Sequence, residues 1–157
     1  MPNNRRVGRE YALKVLFGLK YDATAPGADA LLTRFWQNFR FADDLLGEPV
    51  EAEQVPVAPA VRAFTETLVG GVLDKRPLLD RQIADAAQNW SLSRMAPVDL
   101  TLLRIAAYEL LFLPDIPVAV TLNEAIEIAK RYGTKESPVF INGILDKIAR
   151  NNGLDKG

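Results

Sequence analysis

The sequence contains no cysteine and no histidine. The first absence excludes disulfides, thiolate zinc sites, iron–sulfur clusters and thiol nucleophiles. The second excludes an imidazole base, and with it Ser-His-Asp and Cys-His catalysis. Apolar runs are only a few residues long, far short of the roughly 20 that span a bilayer. The polar opening from Met1 to Arg9 is not followed by the apolar stretch of a signal peptide, so a cytoplasmic protein is expected. Neither glycine-rich phosphate pattern occurs, Gly-x-x-x-x-Gly-Lys-[Ser/Thr] or Gly-x-Gly-x-x-Gly. Any catalysis would rest on carboxylates, lysine, tyrosine or a hard cation. The expectation is a protein without cofactor, without metal and without enzymatic activity.

What the chain does contain is apolar surface and unevenly placed charge. Of 157 residues, 48% are hydrophobic and 25% charged, enough for one domain with a sizeable core. The formal net charge is −1, yet residues 1–21 hold five basic side chains against Glu10 alone. Residues 22–56 hold two basic side chains against seven acids. A basic leading segment suits a polyanionic partner, and equally suits a merely solvated helix end.

The hydrophobic period is helical almost throughout. Val7, Tyr11, Val15 and Leu19 form one stripe of a first helix, which places Arg5, Arg6 and Arg9 outward on the other side. Ala25-Pro26-Gly27 breaks that helix, and a second from about residue 29 to 41 buries Leu31, Leu32, Phe35, Trp36 and Phe39. Pro59 suits a helix start. Gly70-Gly71 within the next pattern predicts the close approach of another helix. Pro77 opens a fourth segment carrying Leu79, Ile83, Ala87 and Trp90. Pro97 starts an apolar, central helix that stops at Leu113-Pro114. Pro117 precedes a sixth, closed by Gly133 as a C′ residue. Ser137-Pro138 reads as cap and first-turn proline of the last helix, stopped by Asn151, Asn152 and Gly153. The one β-like stretch, 117–122, is too short for a sheet.

The expected fold is therefore all-α, with about seven helices in two packed subdomains of a single domain spanning 1–157. The N-terminal lobe covers 1–41, an acidic loop 42–58, the C-terminal lobe 59–150 and a tail 151–157. Glu124 and Glu127, three residues apart beside Lys130 and Arg131, read as ordinary helix pairs. Asn123 predicts a bond to a neighbouring backbone or a partner, and Asn142-Gly143 a close contact between helices. Arg5, Arg6 and Arg9 lie near Tyr11, Phe17 and Tyr21. Guanidiniums grip phosphates bidentately and stack on unpaired bases, which suits single-stranded RNA.

The segment LRIAAYELLFLPDIPVAVTLNEAIEIAKRYG (103–133), followed by SPVFINGILDKIAR (137–150), resembles the NusB family of transcription antitermination factors. The basic opening RRVGREYALKVLFGL (5–19) is similar to that family's first helix, and NWSLSRMAPVDLTLLR (89–104) to its central turn. The resemblance implies an all-helical, non-enzymatic protein that binds the boxA RNA of ribosomal RNA leader transcripts together with NusE, a small-subunit ribosomal protein. The complex would join RNA polymerase and help it read through terminators. By the same resemblance, Arg5, Arg6, Arg9, Glu136, Ser137 and Phe140 face the RNA, and Asp99, Val118 and Glu124 face NusE. Two other readings stay open: a helical interaction module or homodimer without RNA binding, and an accessory domain of an RNA methyltransferase.

Overall fold

The computed structural model describes residues 4–17, 27–37, 57–88 and 90–154. Among them are six α-helices and no strand: α1 (Asn4–Phe17), α2 (Ala28–Gln37), α3 (Pro59–Ala87), α4 (Pro97–Phe112), α5 (Val118–Tyr132) and α6 (Ser137–Asn151). A single 3₁₀ turn, Leu92–Arg94, lies between α3 and α4. The acidic stretch 42–56 and residues 18–26, with Leu19 and the predicted Ala25-Pro26 break, lie outside the described residues.

Pro77 does not start a helix of its own, contrary to the expectation from the sequence. It lies inside the 29-residue α3. Proline removes the bond its N–H would donate to the Leu73 carbonyl and costs about 3 kcal/mol in a helix interior. Burial on both sides of it offsets that cost, with Leu68, Val69 and Val72 before it and Leu79 and Ile83 after it in the core. The stretch 117–122 is also helical, with Val118 opening α5.

Helix α4 is the centre, packed against α1, α3, α5 and α6. Its apolar residues from Leu100 to Ala107 are all buried, joined by Leu110. That breadth matches its sequence, which is apolar around most of the helix. The α3–α4 crossing depends on one glycine of the predicted pair. A Cβ on Gly71 would stand 2.0 Å from Tyr108 Cζ, whereas one on Gly70 would meet nothing within 4 Å. The crossing is also pinned by Arg104 of α4, whose Nε and Nη2 donate to the two oxygens of Asp80 at 2.7 and 3.1 Å.

Helix α1 lies across α3 and α4. Gly8 makes the first contact close, since a Cβ there would stand 2.9 Å from Phe64 Cδ2. Thr65 donates beside it to the Val61 carbonyl at 2.8 Å. The buried face of α1 is wider than the predicted stripe: Gly8, Arg9, Ala12, Leu13, Lys14, Val15 and Leu16 are all buried, while Val7 and Tyr11 are only half-buried. That difference decides where the arginines go.

Candidate nucleic-acid interface

Arg9 lies one and two helical turns before Leu13 and Leu16, on the face that α1 turns inward. Only 3% of the residue is exposed. Its Nε and Nη2 each donate to an oxygen of Glu109 at 2.7 Å, and its Nη1 donates to Glu124 Oε1 at 3.3 Å. Thr121 adds a third donor to Glu109, at 3.0 Å. The expectation of three outward guanidiniums is therefore corrected for Arg9. Two buried carboxylates, Glu109 of α4 and Glu124 of α5, draw it into the core. The signal was present in the sequence: Glu109 interrupts an apolar helix, and a buried carboxylate requires a partner.

Arg6 occupies an intermediate position. Its Nε and Nη2 donate to Oε1 and Oε2 of Glu124 at 2.9 and 2.6 Å. The Arg6 side chain is 40% exposed, against 9% for that of Glu124. The hydrogen bonds from Arg6 hold the Glu124 carboxyl below its usual range, against the opposing pull of burial. The same bonds raise the Arg6 guanidinium above its ordinary value. Reading Glu124 as an ordinary intrahelical pair is thus corrected, whereas Glu127 does pair along its helix, accepting from Lys130 at 3.0 Å. Arg5 is exposed, and its guanidinium lies 5.5 Å from the centre of the Phe64 ring. The head of α1 thus presents Arg5 beside an aromatic ring and, next to it, the outer side of Arg6, with the buried Arg9, 5.4 Å from the centre of the same ring, as an anchor.

The second group of predicted residues lies at the start of α6. Glu136 is exposed there and forms no side-chain cap. Ser137 is fully buried. Its hydroxyl accepts the Thr134 N–H at 2.9 Å instead of capping α6, and it is hydrogen-bonded to Asp99. Gly133 serves this turn in an extended conformation, φ −94° and ψ −167°, not as the expected C′ glycine. It is small because a Cβ would stand 2.5 Å from Ser137 Oγ. Asp99 and Ser137, expected on different surfaces, therefore touch. Asp99 is itself buried, with Oδ1 lacking a hydrogen-bond partner. Burial pushes its carboxyl above the usual range, and the Ser137 hydrogen bond opposes that.

Phe140 is half-buried and meets the Trp90 ring edge to face, centroids 6.2 Å apart. Trp90 is 54% exposed and Val139 beside Phe140 is 80% exposed. Val118 is half-buried against the core. Asn123, Asn142 and Gly143 are exposed, and a Cβ on Gly143 would meet nothing, so Asn142-Gly143 does not join helices. Among the described residues no cluster of acids is arranged to hold a metal ion. No helix among them is long and apolar enough to cross a membrane.

Residues 6–150, from Arg6 through α6, match the model of the NusB family. The chain belongs to the NusB family. The transcription antitermination protein NusB of Syntrophotalea carbinolica is 54% identical over 93% of this chain and 92% of its own. That of Geobacter sulfurreducens is 50% identical over 92% and 93%. Among solved structures, T. maritima NusB superimposes with a TM-score of 0.71 at 35% identity, covering 96% of this chain and 93% of that one. A chain in the crystal structure of a plectonemic RNA supercoil shares the fold, with a TM-score of 0.73 at 19% identity. The NusB family is one of transcription antitermination proteins, and the buried arginine–glutamate cluster lies within the matched segment.

Proposed function

We propose that this NusB family member is an RNA-binding adaptor without a catalytic step of its own. It would bind boxA RNA of ribosomal RNA leader transcripts, hold NusE beside it, and join RNA polymerase to favour read-through of terminators. The observation that carries this reading is the head of α1, where the exposed Arg5 stands beside the Phe64 ring and the next residue, Arg6, is half-exposed. Guanidinium over an aromatic surface is the chemistry that grips phosphate while leaving a base a place to stack.

In this reading Arg9 positions α1 and does not touch RNA. At the second patch Phe140 and Glu136 would meet the RNA, while Ser137 shapes the turn from inside. The first turn of α6 offers a phosphate little, since Ser137 N–H donates to the Thr134 carbonyl at 3.1 Å, Phe140 N–H to the Glu136 carbonyl at 3.1 Å, and Pro138 has no N–H. On the NusE side, Val118 is the accessible member of the expected set, and Asp99 and Glu124 act from beneath the surface. The test is a double variant, Arg5→Ala with Arg6→Ala, titrated with boxA RNA by fluorescence anisotropy. The reading predicts weaker binding, and an unchanged curve would remove the head of α1 from the interface.

The exposed apolar pair Trp90 and Val139 favours a second reading, in which the head of α6 meets a protein or a second copy of this chain. Sedimentation of the purified protein without RNA distinguishes the homodimer.

A further inference from the structure

The arginine–glutamate cluster has two tiers. Arg9 and Glu109 form a closed pair, with side-chain exposures of 4% and 1%, where no incoming phosphate can compete. Arg6 and Glu124 form the same bidentate geometry, but the Arg6 side chain reaches solvent. In the free protein this half-exposed guanidinium is already satisfied by a carboxylate.

We propose that Glu124 is an internal anionic competitor for Arg6 and thereby sets the affinity of the RNA site; this rests on the RNA-binding reading above. A phosphate binds Arg6 by replacing Glu124, an exchange of one bidentate oxyanion for another. What makes the exchange feasible is Arg9. Its Nη1 donates to Glu124 Oε1 at 3.3 Å, so Glu124 is not left as an uncompensated buried charge when Arg6 turns outward. Orphaning one partner of a buried pair is the costly event, and this arrangement avoids it. Glu124 thus acts on RNA through Arg6, as a residue that tunes affinity without touching nucleotides.

The proposal has a signature that a purely structural role lacks. The phosphate contact to Arg6 is made with or without the Glu124 charge, so removing that charge tightens binding only while Arg6 is present and leaves the log–log salt slope unchanged. Glu127 is the control, since it lies on the same helix, is exposed and pairs with Lys130. It carries the same charge near Arg6 without touching it.

The experiment titrates fluorescein-labelled boxA RNA with the wild-type protein, Glu124→Gln, Glu127→Gln and the double variant Arg6→Ala/Glu124→Gln at several salt concentrations. Glu124→Gln is expected to bind about two- to fivefold more tightly, the range spanned by partly exposed ion pairs, with the wild-type slope. Glu127→Gln is expected to keep the wild-type affinity, and the gain is expected to vanish without Arg6. An equal gain in Glu127→Gln, a gain that persists without Arg6, or no gain at all overturns the proposal while wild-type binding leaves the RNA reading standing. Absence of binding by every protein overturns both. Should Glu124→Gln fail to fold, the wild-type protein decides by nuclear magnetic resonance. RNA is then expected to shift the Nε–H signal of Arg6 and leave that of Arg9 in place, and an unmoved Arg6 signal overturns the proposal.

Discussion

The Arg9 guanidinium and the Glu109 carboxylate, 100 residues apart in the sequence, share two hydrogen bonds of 2.7 Å in the interior. This pair, with Glu124 and Thr121 around it, fastens the first helix to the fourth and fifth. A residue of the basic N-terminal segment is thereby committed to the fold.

Arg9→Ala should therefore act on stability. It leaves Glu109 buried with a hydroxyl as its remaining partner, and breaking a buried pair from one side costs about 3–5 kcal/mol. Urea unfolding is the measurement. A loss below about 0.5 kcal/mol, the usual effect at an exposed site, would contradict the burial of this arginine.

Arg5→Ala should behave in the opposite way. The side chain is exposed beside Phe64, so unfolding should change by no more than about 0.5 kcal/mol. RNA affinity should fall, with a salt slope shallower by about 0.7. Unaltered affinity in this variant would separate Arg5 from the interface.

The two glycines of α3 should separate cleanly. Gly71→Ala drives a methyl into the Tyr108 ring and is expected to cost about 1–3 kcal/mol by overpacking. Gly70→Ala meets open space and should stabilise by up to about 1 kcal/mol through helix propensity. Thermal denaturation of both variants checks the contrast, and equal effects would mean that the α3–α4 crossing is placed wrongly.

Asp99 gives a pH dependence whose sign follows from its burial. Its folded-state carboxyl is raised above the unfolded value, so the folded protein holds the proton more tightly. The contribution of this group favours the folded state at acid pH and is lost as pH rises through the folded pKa. Asp99→Asn should therefore be more stable than wild type near neutrality, with the advantage shrinking on acidification. Glu124 acts in the other sense. Its pKa is lowered by Arg6, so its contribution is present above the ordinary glutamate range and disappears as pH falls. Urea unfolding of Asp99→Asn at neutral and acid pH tests the first statement. A variant less stable than wild type at neutrality would refute it.

The elements that local physics controls were legible in the sequence. Pro59 and Pro97 open helices where a missing N–H is harmless, and the breadth of apolar surface on 97–112 marked it as central. Gly71 met the helix that the pattern asked for. Pro77 was misread because its local penalty is opposed by burial on both sides, a tertiary effect no window of residues contains. Arg9 was misread for a similar reason, because a helical wheel sends every charge outward unless distant acids are known to wait inside. Ser137 and Gly133 follow a turn whose logic is close packing, so neither the capping nor the C′ pattern applied. The arginine-rich opening itself was visible, but its division into an anchor, a tethered cation and an exposed cation required the partners from α4 and α5.

The most direct test of the central claim is the affinity of the intact protein for boxA RNA against a scrambled RNA of equal length, by fluorescence anisotropy with and without NusE. An adaptor built as described should prefer boxA, and should bind it more tightly when NusE is present. Equal, weak binding of both RNAs that NusE leaves unchanged would contradict it.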